Sequence, residues 1–176
     1  DPLTVTASTH GAVSTTYDYQ ISPAGINTLA PVMFWDGGAG STNWEDANNW
    51  DSLNAPINTV PRAGDFVITE ANQIDLNSAT PALAGVQLDG FDVNINPGGN
   101  LNVTGNLFNH TDNIDLINSG TISGTGTLYN LSFLASTGTA SSILIGSIEN
   151  HSSMIWAEFI SSGAASFTVS GAVNNY

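Results

Sequence analysis

Residues 105–110 read "GNLFNH", and close variants return as "GTLYNL" at 126–131, "GSIENH" at 146–151 and "GAVNNY" at 171–176. Extending the comparison upstream gives six glycines that can start a unit: Gly64, Gly85, Gly105, Gly126, Gly146 and Gly171. Their intervals are 21, 20, 21, 20 and 25 residues. In a chain with 18 glycines, spacing alone carries little. The residues that follow carry more. Two positions on stand Phe66, Gln87, Leu107, Leu128, Ile148 and Val173, apolar except for Gln87. Four positions on, from the second unit, stand Asp89, Asn109, Asn130, Asn150 and Asn175.

Each unit also holds two further strand-like stretches, such as Ile114–Ile117 with Thr121-Ile122, and Leu131–Leu134 with Ile143–Ile145. Short apolar or alternating runs between Gly, Asn and Ser read as strands. No stretch shows a long 3.6-residue period with capping residues, so helices are expected to be scarce. Three short strands per unit of about 20 residues predict an all-β parallel β-solenoid (β-helix) of about five coils. A lone coil cannot bury its inward side chains, whereas stacked coils share one core. The Asp/Asn position is expected to form a column, since asparagine can bond to a turn and to the asparagine of the next coil. The last interval predicts an outward insertion near residues 156–162. An antiparallel β-sandwich, whose strands also recur about every 8–12 residues, is the alternative.

Hydrophobic residues make up 41% of the 176, enough material for a core. Only 9% are charged, 15 of them acidic, with Arg62 the sole base and a formal charge of −14. Such a chain cannot neutralise phosphates, which excludes nucleic acid and anionic membrane surfaces as partners. No apolar run approaches the roughly 18 residues of a spanning helix, so no membrane insertion is expected. There is no cysteine, hence no disulfide framework and no thiolate chemistry. The start at Asp1-Pro2, without methionine or signal peptide, reads as a processed export product. An extracellular or cell-surface location follows as the expectation.

Residues 34–69 read "FWDGGAGSTNWEDANNWDSLNAPINTVPRAGDFVIT". The motif residues are Trp35-Asp36-Gly37-Gly38, Asn43-Trp44-Glu45-Asp46, Asn49-Trp50, Val60-Pro61 and Gly64-Asp65 with Val67-Ile68. This segment resembles one common in bacterial autotransporter passengers and other large surface adhesins. The resemblance implies the opening of a β-solenoid stalk or adhesive passenger. Independently of it, Trp35, Trp44 and Trp50 fall in a turn-rich stretch beside the expected first coil. An open solenoid end needs covering, and three indoles supply large buried area, so a cap is the first reading. The rival is a glycan platform in which those three faces, flanked by Asn and Asp, stack on sugar.

Catalytic signatures are missing. Neither a G-x-S-x-G elbow nor a phosphate loop occurs. The carboxylate pairs Asp89/Asp92 and Asp112/Asp115 sit beside turns with no basic or aromatic cradle. Asp36, Glu45, Asp46 and Asp51 show neither EF-hand nor calcium-nonapeptide spacing. His110 and His151 stand two coils apart, about 10 Å on coil spacing, too far to share a metal. We therefore expect no enzyme activity, no cofactor and no metal. Asn102, Asn109, Asn130 and Asn150 each open an N-x-[S/T] sequon, and the repeat accounts for three of them.

The organisation expected is an N-terminal strand segment at 1–34, a Trp-rich cap at 35–63 and solenoid repeats at 64–176. "LTVTAST" and "GAVSTTYDYQI" in the first segment are good strand material, and Gly11-Ala12-Val13 echoes Gly171-Ala172-Val173. An unfinished last coil would offer unpaired backbone to another chain. The expected interface residues are Leu3, Val5, Val13, Tyr17 and Tyr19 on one side, with Val173, Asn175 and Tyr176 on the other. The function this supports is a secreted structural subunit whose partners are copies of itself, joined head to tail into a filament or surface layer. The alternative is an adhesin that binds surface glycans through its tryptophans.

Overall fold

The computed structural model describes residues 30–53, 56–69, 72–89, 92–110, 115–136, 141–151, 159–161 and 166–176. The chain enters through β1 (Val32–Trp35), a single 3-10 turn at Ala47–Asn49 and β2 (Trp50–Ser52). β3 (Phe66–Thr69) and β4 (Ile74–Leu76) form the first coil. Next come β5 (Gly85–Leu88), β6 (Val93–Ile95) and β7 (Asn100–Asn102), then β8 (Leu107–Asn109), β9 (Asp115–Asn118) and β10 (Thr121–Ser123). β11 (Thr127–Asn130), β12 (Phe133–Ser136) and β13 (Ser142–Ile145) follow, then β14 (Ser147–Asn150), β15 (Phe159–Ser161), β16 (Ser166–Val169) and β17 (Val173–Asn175).

These strands stack into three sheets of eight, five and four strands. The largest runs β17-β14-β11-β8-β5-β3-β1-β2, and every pair in it is parallel except β1 with β2. The molecule is a parallel β-solenoid, and the antiparallel sandwich is excluded. Four coils carry a strand on all three sheets. The first coil has only isolated bridges on its third side, Ala79 to Asn100 and Leu83 to Val103.

Alternation within each strand sends every second side chain inward, and the parallel register stacks equivalent residues about 4.8 Å apart. In the eight-stranded sheet one inward column runs Met33, Val67, Val86, Leu107, Leu128, Ile148 and Val173. The five-stranded sheet contributes Ile74, Val93, Leu116 and Leu134, and the four-stranded sheet Leu101, Ile122 and Ile143, all buried. Burying each such side chain is worth about 1.5–3 kcal/mol, and each is covered mainly by the coil above and the coil below.

This register corrects the sequence alignment at its N-terminal end. Val86 pairs with Leu107, so Gly85 lies one residue past the glycine column, which instead runs Ala84, Gly105, Gly126, Gly146 and Gly171. Gln87 ceases to be an exception, because it points outward beside Phe108 while Val86 fills the core. The same shift moves Asp89 out of the asparagine column, where Leu88 stands. A one-residue slip reverses every side chain of a strand, and burial decides which register holds.

The glycine column exists because backbone meets backbone at that corner. A Cβ on Gly126 would lie 1.4 Å from the Gly105 carbonyl oxygen, and one on Gly105 would lie 1.9 Å from that of Ala84. By contrast, a Cβ on Gly40, in a cap turn, would meet nothing within 4 Å. Gly126→Ala is expected to force two coils apart and lower stability by about 3 kcal/mol or more. Gly40→Ala, limited to the strain of its positive φ, should cost about 1–2 kcal/mol. Urea titration of both variants reads the difference, and equal midpoints would contradict the close stacking.

Candidate functional site: the open face of the stack

The two ends of the solenoid differ in what covers them. At the N-terminal end, β2 pairs along the outer edge of β1 in the antiparallel sense, so the edge of β1 is covered by a strand of its own chain. Trp50 stands edge-on between Trp35, at 5.1 Å, and Trp44, at 4.6 Å between ring centroids. Its indole Nε1 donates to the Trp44 carbonyl at 2.7 Å. All three indoles are at most 2% exposed. Their faces are spent on one another and on the core, so the expectation of a sugar-stacking platform at Trp35, Trp44 and Trp50 is corrected. Phe108 and Tyr129 do reach the surface, half-buried and stacked 4.9 Å apart at 16°, so that one face of each ring covers the other.

Polar contacts pin this cap to the first coil. Asp75 N–H donates to the Thr42 carbonyl at 2.7 Å, and Trp44 N–H donates to the Asp75 carbonyl at 3.1 Å. Glu45 Oε1 accepts from Ser78 Oγ at 2.7 Å, Ser78 N–H at 2.8 Å and Asn77 N–H at 3.1 Å. Partial burial pushes the Glu45 carboxyl up, but these bonds and one from its own backbone outweigh it, leaving the group below its ordinary 4.5. Burial and hydrogen bonds oppose each other likewise at Asp75, where Thr42, Asn94 and Gln73 side chains hold the carboxyl low. β1 spans residue 34, so this strand belongs with the cap, across the boundary expected between segments 1–34 and 35–63.

At the other end no such cover is present among the described residues. Phe167 continues the buried column Leu101, Ile122 and Ile143, yet is 45% exposed. Val173 continues Leu107, Leu128 and Ile148, yet is 57% exposed. Between them opens a largely apolar cavity of ≈ 210 Å³, lined also by Leu134 and by Asn130, Asn150 and Asn175. Within the described residues β17 pairs only with β14.

The asparagines form a ladder leading to this face. Asn109 Nδ2 donates to Asn130 Oδ1 at 2.8 Å, Asn130 Nδ2 to Asn150 Oδ1 at 3.2 Å, and Asn150 Nδ2 to Asn175 Oδ1 at 2.6 Å. The N-terminal half of the same column is Trp35, Thr69 and Leu88. Asp89 lies outside it, accepting from Gln87 Nε2 and facing His110 Nδ1 at 3.1 Å. Tyr176 stacks on His151 with ring centroids 4.5 Å apart and planes 3° from parallel. Leu3, Val5, Val13, Tyr17 and Tyr19 lie outside the described residues, as does most of the expected insertion at 156–162.

Among the described residues no three His, Asp or Glu side chains gather as a metal set, and no helix is long and apolar enough to cross a membrane. Compared with protein-family models, curated proteins and solved structures, the chain gives no significant match.

Asn130→Leu is expected to strand the Asn109 amide donor and the Asn150 acceptor, costing about 2 kcal/mol or more in denaturant midpoints. An unchanged midpoint would remove the ladder from the stability of the stack. Because folding lowers the Glu45 carboxyl, its contribution is complete above pH 4.5 and is lost as pH falls through the lower folded value. Thermal melts of wild type and Glu45→Gln should therefore differ at pH 7 and converge towards pH 3. A constant gap would contradict that linkage.

Proposed function

We propose that the protein is a secreted structural subunit, non-catalytic, whose copies join head to tail by strand addition into an extracellular filament or surface layer. One observation carries this reading. Phe167 and Val173 belong to columns that are buried through every earlier coil, and both surface at a face where backbone edges and an apolar cavity lie together. Exposed core of this kind is a site for another chain. The opposite end is sealed by tryptophans and an antiparallel strand, so the two ends are unlike, and unlike ends joined in series make an open polymer when the rotation does not close.

Composition supports the same job. Main-chain hydrogen bonds and apolar burial need no charge, and only 16 of the 176 residues are charged. An extracellular setting accords with the absence of lysine, which leaves trypsin-like proteases little to cut, and with the resemblance of residues 34–69 to surface passengers. The glycan-binding alternative loses its main support because the three indoles are interior.

Size-exclusion chromatography and negative-stain microscopy of the full chain, compared with a variant lacking residues 1–29, test the proposal. The deletion leaves β1 and the cap intact. Filaments or higher oligomers from the full chain and monomers from the variant are expected. Monomers from both would overturn it.

A further inference from the structure

The stack carries three positional rules that any strand laid on β17 must meet, and residues 1–29 hold one segment that meets all of them. The first rule is steric. At the corner before β8, β11, β14 and β17 the backbones touch, so that a Cβ on Gly146 would lie 2.1 Å from the Thr125 carbonyl oxygen and one on Gly171 would lie 2.7 Å from that of Gly146. The next strand therefore needs glycine over Gly171. The second rule is burial. Two residues on, an apolar side chain must cover Val173, as Val173 covers Ile148. The third is polar. The ladder donates in one direction, each Nδ2 to the Oδ1 of the following coil, which leaves the Asn175 amide as the donor for the next rung. Four residues after the glycine, an acceptor is required.

Residues 1–29 contain two glycines, Gly11 and Gly25. Gly25 is followed at those two positions by Asn27 and Leu29, the wrong order. Gly11 is followed by Val13 and Thr15, apolar and then hydroxyl. Resting on the assembly reading above, the geometry points to residues 11–15 of a second copy as the occupant of the open face. They lie parallel to β17, with Gly11 over Gly171, Val13 over Val173 and the Thr15 hydroxyl accepting from Asn175.

The spacing to the cap says why the occupant is a second copy. Val13 precedes Met33 by 20 residues, one coil length, and Met33 heads the same inward column in its own molecule. In the proposed assembly a segment of that length would turn once and return to the same sheet a rung or two further on. The edge of β1 is already taken by β2, so residues 11–15 pair with the β17 of a neighbour, with their own β2 on the far side. To lie on their own β17 they would have to run straight along seven rungs, about 34 Å at strand spacing. The 15 residues at 16–30 could stretch to about 50 Å, so self-closure is the outcome to test against.

Because the chain has no cysteine, engineered pairs report register directly. Ser14→Cys with Asn174→Cys places two outward side chains on adjacent rungs, within disulfide reach. Thr16→Cys with Asn174→Cys sets them two residues apart along the strand, roughly 8 Å between Cα atoms, beyond that reach. Mild oxidation should link the first pair into dimers and higher multimers on non-reducing gels and leave the second pair unlinked. Gly11→Val should abolish assembly while leaving the melting temperature of the isolated monomer unchanged. Linkage through the second pair, or polymers that form fully with Gly11→Val, would overturn this register and leave head-to-tail assembly standing. A first-pair disulfide confined to monomers would overturn the second copy as occupant. A wild-type chain that stays monomeric and unlinked would overturn both.

Discussion

Each coil of this protein has an interior only because another coil lies against it. Leu107 and Leu128 are fully buried by one another and by their neighbours, at the spacing of hydrogen-bonded strands. The backbones come close enough at the Gly105–Gly126 corner to leave no room for a methyl group. Side-chain burial, main-chain pairing and the glycine corner are consequences of one contact repeated along an axis. Stability in such an array is close to a sum over neighbouring coils, and the two terminal coils are where it is incomplete.

The two ends answer that incompleteness with different chemistry. Near the cap the second inward column of the large sheet is Trp35, Thr69 and Leu88, and beyond β5 it becomes asparagine through to Asn175. The five-stranded sheet changes in the same direction, from Leu76 and Ile95 to Asn118, which is buried and bonded to Gly120 N–H and the Ser142 carbonyl. Indoles suit an end that is sealed once, in the folding of its own chain. Amides suit rungs that bond to the next strand where one is present and to water where none is, since their hydrogen bonds are satisfied by either. A carboxylate in their place would have brought repulsion between rungs about 4.8 Å apart.

Much of this was legible in the chain. The period near 20, the apolar column from Leu107 to Val173, and the asparagines at 109, 130, 150 and 175 stand in the structure at the positions their spacing implied. The slip at Gly85 shows where that reading breaks down. Ala84 and Gly85 are adjacent, and alanine is small enough to hold the corner at the start of the column, so the glycine pattern alone pointed to the wrong residue. Gln87 in an apolar position was the sign of it, since moving the register by one puts Val86 and Leu88 inside and leaves Asp89 beyond the strand.

By itself the sequence determined the period, the identity of the stacking residues from Leu107 onward and the scarcity of charge, because these follow from alternation and composition over a few residues. Tertiary structure alone decided the register at the first coils, the antiparallel closure of β1 by β2, the burial of the three indoles and the exposure of Phe167 and Val173. Each of these depends on which residues distant in the chain come to lie against a strand edge. A local pattern reads the same whether that edge is covered or open.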